Sequence, residues 1–107
     1  MSTVVIITTL NEIIGVKEIV PKINKKWVDE IIFVDGGSTD GTIEEAKKMG
    51  FRVIMQQNKG DFTGGHGAAV LEGINATTSD NIILFGPDGN DDPEKIPELV
   101  EKLKEGF

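Results

Sequence analysis

The stretch "EIIFVDGGSTDGTIEEAKKMG" (30–50) contains a strand pattern, a glycine-rich turn and a helix pattern in immediate succession. Its first part, "EIIFVD" (30–35), is apolar and rich in Ile, Val and Phe, and it lacks the alternation of a half-exposed strand. Residues 41–49 follow Asp40, a candidate helix cap, and stop at Gly50, a common residue just after a helix. A strand buried on both faces and followed by a helix is typical of a parallel sheet.

The same pattern recurs on both sides of this stretch. Three more apolar runs of strand length are "TVVIITT" (3–9), "RVIMQQ" (52–57) and "NIILF" (81–85). Helical spacing of apolar residues predicts further helices over 11–20, 66–77 and 94–104. Asn11 is the candidate cap of the first of these, Pro21 should end it, and Gly73 is a tolerated interior glycine of the next. The apolar stripes of the last two comprise Ala69, Val70 and Ile74, and Ile96, Leu99, Val100 and Leu103.

Alternation of strands and helices predicts an α/β fold, a Rossmann-like parallel sheet in the order 3-2-1-4 with helices on both faces. A chain of 107 residues is expected to form a single domain over 1–107. Ligands of such sheets bind beyond the carboxyl ends of the strands. Four polar or glycine-rich loops follow the four strands, namely "TTLNE", "DGGSTDGT", "NKGDFTGGHG" and "GPDGNDDP". We therefore expect one binding site where these loops meet.

Composition excludes several classes of function. The chain has no cysteine, which excludes disulfides and thiolate metal sites, and its net charge of −7 argues against general nucleic-acid binding. No apolar run has the length of a transmembrane segment, and residues 1–10 lack the basic start of a signal peptide. These features predict a cytoplasmic protein. The basic cluster Lys22, Lys25 and Lys26 beside Trp27 is a solvated helix end or a peripheral contact with the cytoplasmic membrane face.

The turn "VDGGSTDGT" (34–42) does not match the two best-known phosphate-binding loops. Ser38 occupies the middle glycine position of the dinucleotide fingerprint, and Thr42 occupies the lysine position of a P-loop. Asp35 remains as a carboxylate at a strand end, where it can accept a hydrogen bond from a ribose hydroxyl or a base N–H. The alternative is that Asp35 caps the turn through the backbone groups of Ser38 and Thr39.

The acidic stretch "FGPDGNDDPEK" (85–95) is not an EF-hand loop, because Pro93 stands where that loop requires glycine. A Mg²⁺ or Mn²⁺ site of one or two carboxylates shared with a phosphate is compatible with Asp88. Asp91 and Asp92 also suit the start of the last helix.

His66 is the only histidine, so a histidine-rich metal site is excluded. It lies at the glycine-rich helix start "GGHGAAVLEGI". Two roles fit this position: a phosphate contact or proton carrier, and a partly exposed residue at a helix start.

In combination, "TTLNE", "VDGGSTDGT", "GHGAAVLEGI" and "PDGNDDP" resemble family 2 glycosyltransferases of the GT-A fold, most closely the dolichyl-phosphate mannose synthase-like members. The resemblance covers nearly the whole chain. It implies the nucleotide-binding half of a GT-A domain. Such a half would bind a GDP- or UDP-sugar together with Mg²⁺ or Mn²⁺, for transfer to a polyprenyl phosphate or a glycan.

The resemblance also implies roles for individual residues. The implied nucleotide-binding residues are Thr9, Asn11, Glu12, Asp35, Gly36, Ser38 and His66. The implied metal ligand is Asp88, with Asn90 or Asp91 beside it. Three positions depart from the family pattern: Thr8 replaces a proline, Gly36 replaces the second acid of V-D-D, and Gly86 replaces the first acid of D-x-D.

Members of the family normally continue past residue 107 into a half that binds the acceptor, so no catalytic base is assigned here. The chain is then expected to be a fragment, or a relative that needs an acceptor-domain partner or a homo-oligomer. The alternative is a non-catalytic module that binds nucleotide or a protein partner. A flavodoxin-like domain fits less well, because "TTLNE" offers no phosphate loop after the first strand.

Overall fold

The computed structural model describes residues 2–57, 65–87 and 92–104, without the side chains of 65–67 and 104. Strands and helices alternate along these residues. The strands are β1 (Thr3–Thr9), β2 (Glu30–Asp35), β3 (Arg52–Met55) and β4 (Asn81–Phe85). The helices are α1 (Ile13–Glu18), α2 (Thr42–Lys48), α3 (Gly65–Asn75) and α4 (Ile96–Lys104). Short 3-10 turns occupy Val20–Lys22, Lys25–Trp27 and Pro93–Lys95.

The strands form one sheet in the order β3-β2-β1-β4, and every neighbouring pair is parallel. This confirms the predicted order. Thr9 of β1 is paired with Asp35 of β2, which is paired with Met55 of β3. On the other side, Ile7 of β1 is paired with Phe85, the last residue of β4. All four strands therefore end at the same edge of the sheet, which we call the carboxyl edge.

Different helices cover the two faces of the sheet. On one face α1, α2 and α4 pack through the buried side chains of Val16, Ala46 and Ile96. On the other face α3 packs through Ala69 on β1 and β2, whose buried residues there include Ile6. Right-handed crossovers explain the division, because the chain moves from β1 to β3 in one direction and must return in the other to reach β4. The direction reverses between β1 and β4, which is where sheets of this kind bind ligands.

Gly73 is required for the close approach of α3 to the sheet. The sequence predicted only that a glycine is tolerated inside this helix. A Cβ atom at Gly73 would lie 2.8 Å from Cγ2 of Ile6 and 3.1 Å from Cγ2 of Val34. Both neighbours are β-branched and fully buried, so they cannot rotate away at low cost.

The first helix is shorter than predicted, and its cap was predicted wrongly. It was expected over 11–20 with Asn11 as the cap, but α1 begins after Glu12, whose side chain makes no capping hydrogen bond. Asn11 has a φ of 55° and bonds instead to the loop after β2. A contact distant in sequence has therefore replaced the local cap.

Several other boundaries differ from the prediction by a few residues. β3 ends at Met55 and not at residue 57, and α2 begins after Gly41, whose φ is 100°. Asp40 still accepts a hydrogen bond from the backbone N–H of Thr42, at 3.0 Å. Gly50 ends this helix with a φ of 86°, as expected. Two residues of the predicted apolar stripes, Ile74 and Leu99, are exposed.

Candidate functional site

The ends of β1 and β2 are joined by a hydrogen bond between buried side chains. Thr9 Oγ1 donates to Asp35 Oδ2 at 2.7 Å, and the two residues are paired across the sheet. Both are almost fully buried, with 5% of Thr9 and 1% of Asp35 exposed. A buried carboxylate requires such partners, because an uncompensated charge there would be costly.

The same carboxylate organises the turn after β2. Asp35 Oδ1 accepts from the backbone N–H groups of Gly37 at 2.8 Å and Ser38 at 2.7 Å. Asp35 Oδ2 also accepts from Ser38 Oγ at 2.7 Å. Burial alone would raise the pKa of Asp35, but the hydrogen bonds from Ser38, Thr9 and Gly37 outweigh it and lower the pKa. Asp35 thus caps the turn through Ser38, as the alternative stated, and through Gly37, whereas the backbone N–H of Thr39 donates to Asn11.

Ser38 and Asn11 connect the turn after β2 to the loop after β1. The backbone N–H of Asn11 donates to Ser38 Oγ at 2.8 Å. In return, the backbone N–H of Thr39 donates to Asn11 Oδ1 at 2.8 Å. This reciprocal pair accounts for the positive φ of Asn11, a conformation that asparagine tolerates better than most residues. Two of the predicted nucleotide-binding residues therefore hold each other in place.

A second connection between the same loops involves Asp40 and Thr42, which the sequence analysis did not assign to the site. Asp40 Oδ2 accepts from the backbone N–H of Ile13 at 3.1 Å, and Asp40 Oδ1 accepts from Thr42 Oγ1. Thr42 Oγ1 in turn accepts from the backbone N–H of Glu12 at 3.0 Å. The hydrogen bond from the Thr42 hydroxyl is the main reason why the pKa of Asp40 is lowered. The sequence signal for this connection is an aspartate, Asp40, that stands two residues before the threonine that begins α2.

The loops after β1 and β2 are thus one hydrogen-bonded unit, which we call the double loop, comprising residues 9–13 and 35–42. Gly36 extends the unit, because its backbone N–H donates to the carbonyl oxygen of Thr9 at 2.9 Å. Glu12 is half-buried at its rim. The structure therefore brings Thr9, Asn11, Glu12, Asp35, Gly36 and Ser38 together from two of the four predicted loops.

The start of the acidic loop lies against helix α1. Phe85 and Pro87 are buried, and a Cβ atom at Gly15 would lie 1.6 Å from the carbonyl oxygen of Pro87. Only a glycine in α1 permits this contact. At the other end of the acidic stretch, Asp92 Oδ1 accepts a hydrogen bond from the backbone N–H of Glu94 at 3.0 Å, as expected for a helix cap. The loop therefore leaves the carboxyl edge beside the double loop.

The predicted metal ligands Asp88, Asn90 and Asp91 lie outside the described residues, as does the side chain of His66. Within residues 2–57, 65–87 and 92–104, no group of three or more acidic or histidine side chains is arranged to hold a metal ion. The metal prediction and the role of His66 therefore stay predictions.

The predicted basic cluster is partly engaged within the protein. Lys25 Nζ donates to the carbonyl oxygen of Met49 at 3.0 Å and lies 4.7 Å from the centre of the Phe51 ring. Together with Arg52, Lys25 lines a cavity of about 280 Å³ near the starts of β2 and β3. This cavity is at the end of the sheet opposite to the double loop. In the described part of the chain, no helix has the length and apolar character that crossing a bilayer requires.

The family model described as Glycosyl transferase family 2 matches residues 4–107. Among curated relatives, the undecaprenyl-phosphate 4-deoxy-4-formamido-L-arabinose transferase of Salmonella choleraesuis (strain SC-B67) is 33% identical over 92 residues. That match covers 79% of this chain and 26% of the relative. The chain thus spans about a quarter of the length of the curated relatives that it matches.

Solved structures show the same fold. Glucosyl-3-phosphoglycerate synthase from Mycobacterium tuberculosis, in complex with Mn²⁺, uridine-diphosphate and glucosyl-3-phosphoglycerate, superposes with a TM-score of 0.80 and 29% identity. The match covers 95% of this chain and 39% of that one. A second structure, described as a mycobacterial protein, gives a TM-score of 0.83 with 27% identity over 99% of this chain and 38% of its own. These findings confirm the predicted GT-A fold.

Proposed function

This chain belongs to glycosyl transferase family 2, and we propose that it is the donor-binding part of a glycosyltransferase. It binds a GDP- or UDP-sugar at the carboxyl edge, and the glycosyl group is transferred to a polyprenyl phosphate or a glycan. The observation that carries this proposal is the double loop. Hydrogen bonds hold two polar loops in one fixed arrangement beside the point where strand order reverses.

The double loop would bind the nucleotide mainly through its shape. Asp35 accepts four hydrogen bonds from within the protein, so its carboxylate fixes the loop instead of serving as a freely available acceptor. In this proposal Thr9, Asn11 and Glu12 line the pocket from β1, and Gly36 and Ser38 line it from β2. His66 contacts a phosphate from the start of α3. A preformed pocket reduces the conformational entropy that the protein loses on binding the nucleotide.

The acidic loop is proposed to supply the metal ligand. Because Pro87 lies against Gly15, the acidic loop begins beside the double loop. The carboxylate and amide side chains of the acidic loop offer the oxygen ligands that Mg²⁺ and Mn²⁺ prefer. Asp88 would hold the metal, with Asn90 or Asp91 beside it. When bound, the ion neutralises charge on the nucleoside diphosphate that leaves.

Two of the relatives support particular choices of acceptor and donor. The Salmonella relative is an undecaprenyl-phosphate transferase, which supports a polyprenyl phosphate acceptor, as in the dolichyl-phosphate mannose synthase-like members. The mycobacterial enzyme is solved with uridine-diphosphate and Mn²⁺, which supports a UDP-sugar and hexosyl transfer. We further propose that acceptor binding requires residues outside these 107, in the same protein or in a partner. A cytoplasmic location at the membrane face would suit such an acceptor.

Calorimetry with GDP, UDP and ADP, each with and without Mn²⁺, tests the proposal. We expect GDP or UDP to bind, and Mn²⁺ to bind appreciably only when that nucleotide is present, because one carboxylate is a poor site by itself. Asp88→Asn should abolish this mutual enhancement and leave thermal stability nearly unchanged. Asp92→Asn is the matched control, since Asp92 caps the 3-10 turn. Equal Mn²⁺ affinity with and without nucleotide would contradict the metal assignment, and failure of both nucleotides to bind would refute the proposed function.

A further inference from the structure

Within the described residues 2–57, helix α1 provides no N-terminal cap of its own. It is six residues long, the side chain of Glu12 makes no capping hydrogen bond, and no acidic residue stands in its first turn. The first backbone N–H groups of a helix lack partners within that helix, and so short a helix is marginal in water by itself. The start of α1 must therefore be stabilised by another part of the protein.

The start of α2 supplies the missing partners. Asp40 Oδ2 accepts from the backbone N–H of Ile13 at 3.1 Å, and Thr42 Oγ1 accepts from the backbone N–H of Glu12 at 3.0 Å. Asp40 Oδ1 also accepts from the backbone N–H of Thr42, at 3.0 Å. One carboxylate thus serves the starts of two helices, and its bond to Ile13 joins positions that are 27 residues apart.

This arrangement requires a carboxylate. Each oxygen of Asp40 faces a backbone N–H, which can only donate, and an amide side chain has a single accepting oxygen for the two. Asp35 differs in this respect, because its Oδ2 faces only hydroxyl groups, which can reverse their hydrogen bonds. The pKa of Asp40 is lowered, chiefly by the hydrogen bond from the Thr42 hydroxyl, so the group is ionised at neutral pH.

Helix α1 connects two loops of the proposed nucleotide site. Its start belongs to the double loop, where Glu12 is half-buried at the rim. Three residues further along the chain, Gly15 lies against the carbonyl oxygen of Pro87, in the acidic loop. A shift at the start of α1 would therefore displace both loops.

We propose that Asp40 is a positioning residue for nucleotide binding. By capping α1 from the start of α2, it holds the loop after β1 and the start of the acidic loop in the arrangement that binds a nucleoside diphosphate. Both oxygens of Asp40 are engaged within the double loop, so it acts through α1 and not by contact with the ligand. The inference rests on the proposed function, since it assumes that a nucleotide binds at the carboxyl edge.

Asp40→Asn tests this role. The amide oxygen should stay at Thr42, which offers it both an N–H and a hydroxyl, so the N–H of Ile13 loses its acceptor. We expect the affinity for UDP or GDP, measured by calorimetry, to fall roughly three- to tenfold, because the binding arrangement is then only partly populated. Without nucleotide, the backbone amide of Ile13 should exchange with solvent roughly tenfold faster, as measured by NMR.

Glu44→Gln is the matched control for charge. It removes the same negative charge from an exposed position in the first turn of α2 and leaves the bonds to α1 in place. This variant should bind nucleotide like the wild type, and the exchange rate of Ile13 should not change. A loss of affinity as large as that of Asp40→Asn would show that charge alone is responsible and would refute the inference.

Thr42 offers a pair of variants that differ in the hydroxyl. Thr42 is 1% exposed, so Thr42→Val keeps the packing while it removes the acceptor of the Glu12 N–H. Nucleotide affinity should fall in Thr42→Val, with faster exchange at Glu12. Thr42→Ser keeps the hydroxyl and should bind within roughly twofold of the wild type. Equal affinities of the two variants would contradict the role of this connection.

The outcomes separate this inference from the proposed function. If the wild type binds UDP or GDP and Asp40→Asn binds them equally well, positioning by Asp40 is refuted and the proposed function stands. The same holds if Ile13 exchanges faster while nucleotide affinity is unchanged. If no nucleotide binds the wild type, both fail. Should Asp40→Asn not fold, the comparison of Thr42→Val with Thr42→Ser decides.

Discussion

The side chain of Asp35 organises the double loop. Its two oxygens accept four hydrogen bonds, which come from the end of β1 and from the turn after β2. Removing the carboxylate would leave two backbone N–H groups and two hydroxyls without their acceptor. Loss of nucleotide binding in Asp35→Ala would therefore not distinguish a ligand contact from a collapsed loop.

A comparison of Asp35→Ala with Asp35→Asn tests this structural role. We expect Asp35→Ala to lower the free energy of unfolding by about 2–4 kcal/mol, because it leaves buried donors unsatisfied. Asp35→Asn should cost about 1 kcal/mol, since its oxygen keeps the backbone bonds and the hydroxyls of Thr9 and Ser38 can rotate to accept from its nitrogen. Urea unfolding at neutral pH measures both. Equal losses in the two variants would show that charge, and not hydrogen bonding, dominates.

The same carboxylate predicts a dependence of stability on pH. Its pKa in the folded state lies below the ordinary value of 3.8. A carboxyl group whose pKa is lower in the folded state stabilises the protein at pH values above its pKa in the unfolded chain. This stabilisation is lost as the pH falls from 3.8 through the pKa of the folded state. Asp35→Asn cannot titrate, so its free energy of unfolding should fall less steeply than that of the wild type in this range. Parallel curves would contradict the assignment.

Sequence patterns identify some of these residues but not their partners. Asp35 and Ser38 are recognisable from the motif, and the sequence is compatible with Asp35 either as a ligand contact or as a cap of the turn. The hydrogen bonds from Thr39 N–H to Asn11 Oδ1 and from Glu12 N–H to Thr42 Oγ1 join positions that are 28 and 30 residues apart. Such contacts depend on how two loops meet in three dimensions, so local propensity predicted a helix cap at Asn11 instead.

Helices approach the rest of the protein closely at two glycines. Gly73 brings α3 onto Ile6, and Gly15 brings α1 onto Pro87. Sequence alone predicts both helices from their apolar spacing, but it treats each glycine as a weakness of the helix. The reason for each glycine lies in the neighbouring element, which no local pattern contains.

Gly15→Ala should disturb the acidic loop from a distance. The new methyl group would lie 1.6 Å from the carbonyl oxygen of Pro87, so the backbone must shift. We expect a loss of more than about 2 kcal/mol in the free energy of unfolding, despite the helix preference of alanine. Lys17→Ala in the exposed part of the same helix is the control and should change stability by less than about 0.5 kcal/mol. Urea unfolding of the two variants gives the comparison, and similar losses would show that Gly15 is not a packing contact.

Rules that apply to the whole chain restrict the order of strands. Alternation of strands and helices, right-handed crossovers and one reversal of direction allow the predicted order 3-2-1-4, as they also allow 2-1-3-4, and the structure confirms the first. Exposure of particular apolar residues does not follow from these rules. It depends on which part of the sheet each helix covers, and the helix patterns do not specify that position.

Helix α3 covers only part of its face of the sheet. It packs on β1 and β2, and Glu72 on one of its sides accepts from the backbone N–H of Gln57, just beyond β3. Ile74 is on the opposite side of the helix and is 36% exposed, while Leu84 of β4 is 50% exposed. The face of β4 next to α3 is therefore much less covered than the face that packs on α4, where Phe85 is 4% exposed.

Two adjacent residues of β4 test this uneven coverage. Ile83 points to the face covered by α1, α2 and α4 and is 5% exposed, whereas Leu84 points to the face of α3 and is 50% exposed. We expect Ile83→Ala to cost about 2–4 kcal/mol in the free energy of unfolding, since it leaves a cavity in the main core. Leu84→Ala should cost about 1 kcal/mol or less, because half of that side chain already contacts solvent. Urea unfolding of the 107-residue chain measures both. A large loss in Leu84→Ala would mean that something covers this face in solution, and analytical ultracentrifugation of the wild type would then show whether it is a second copy of the chain.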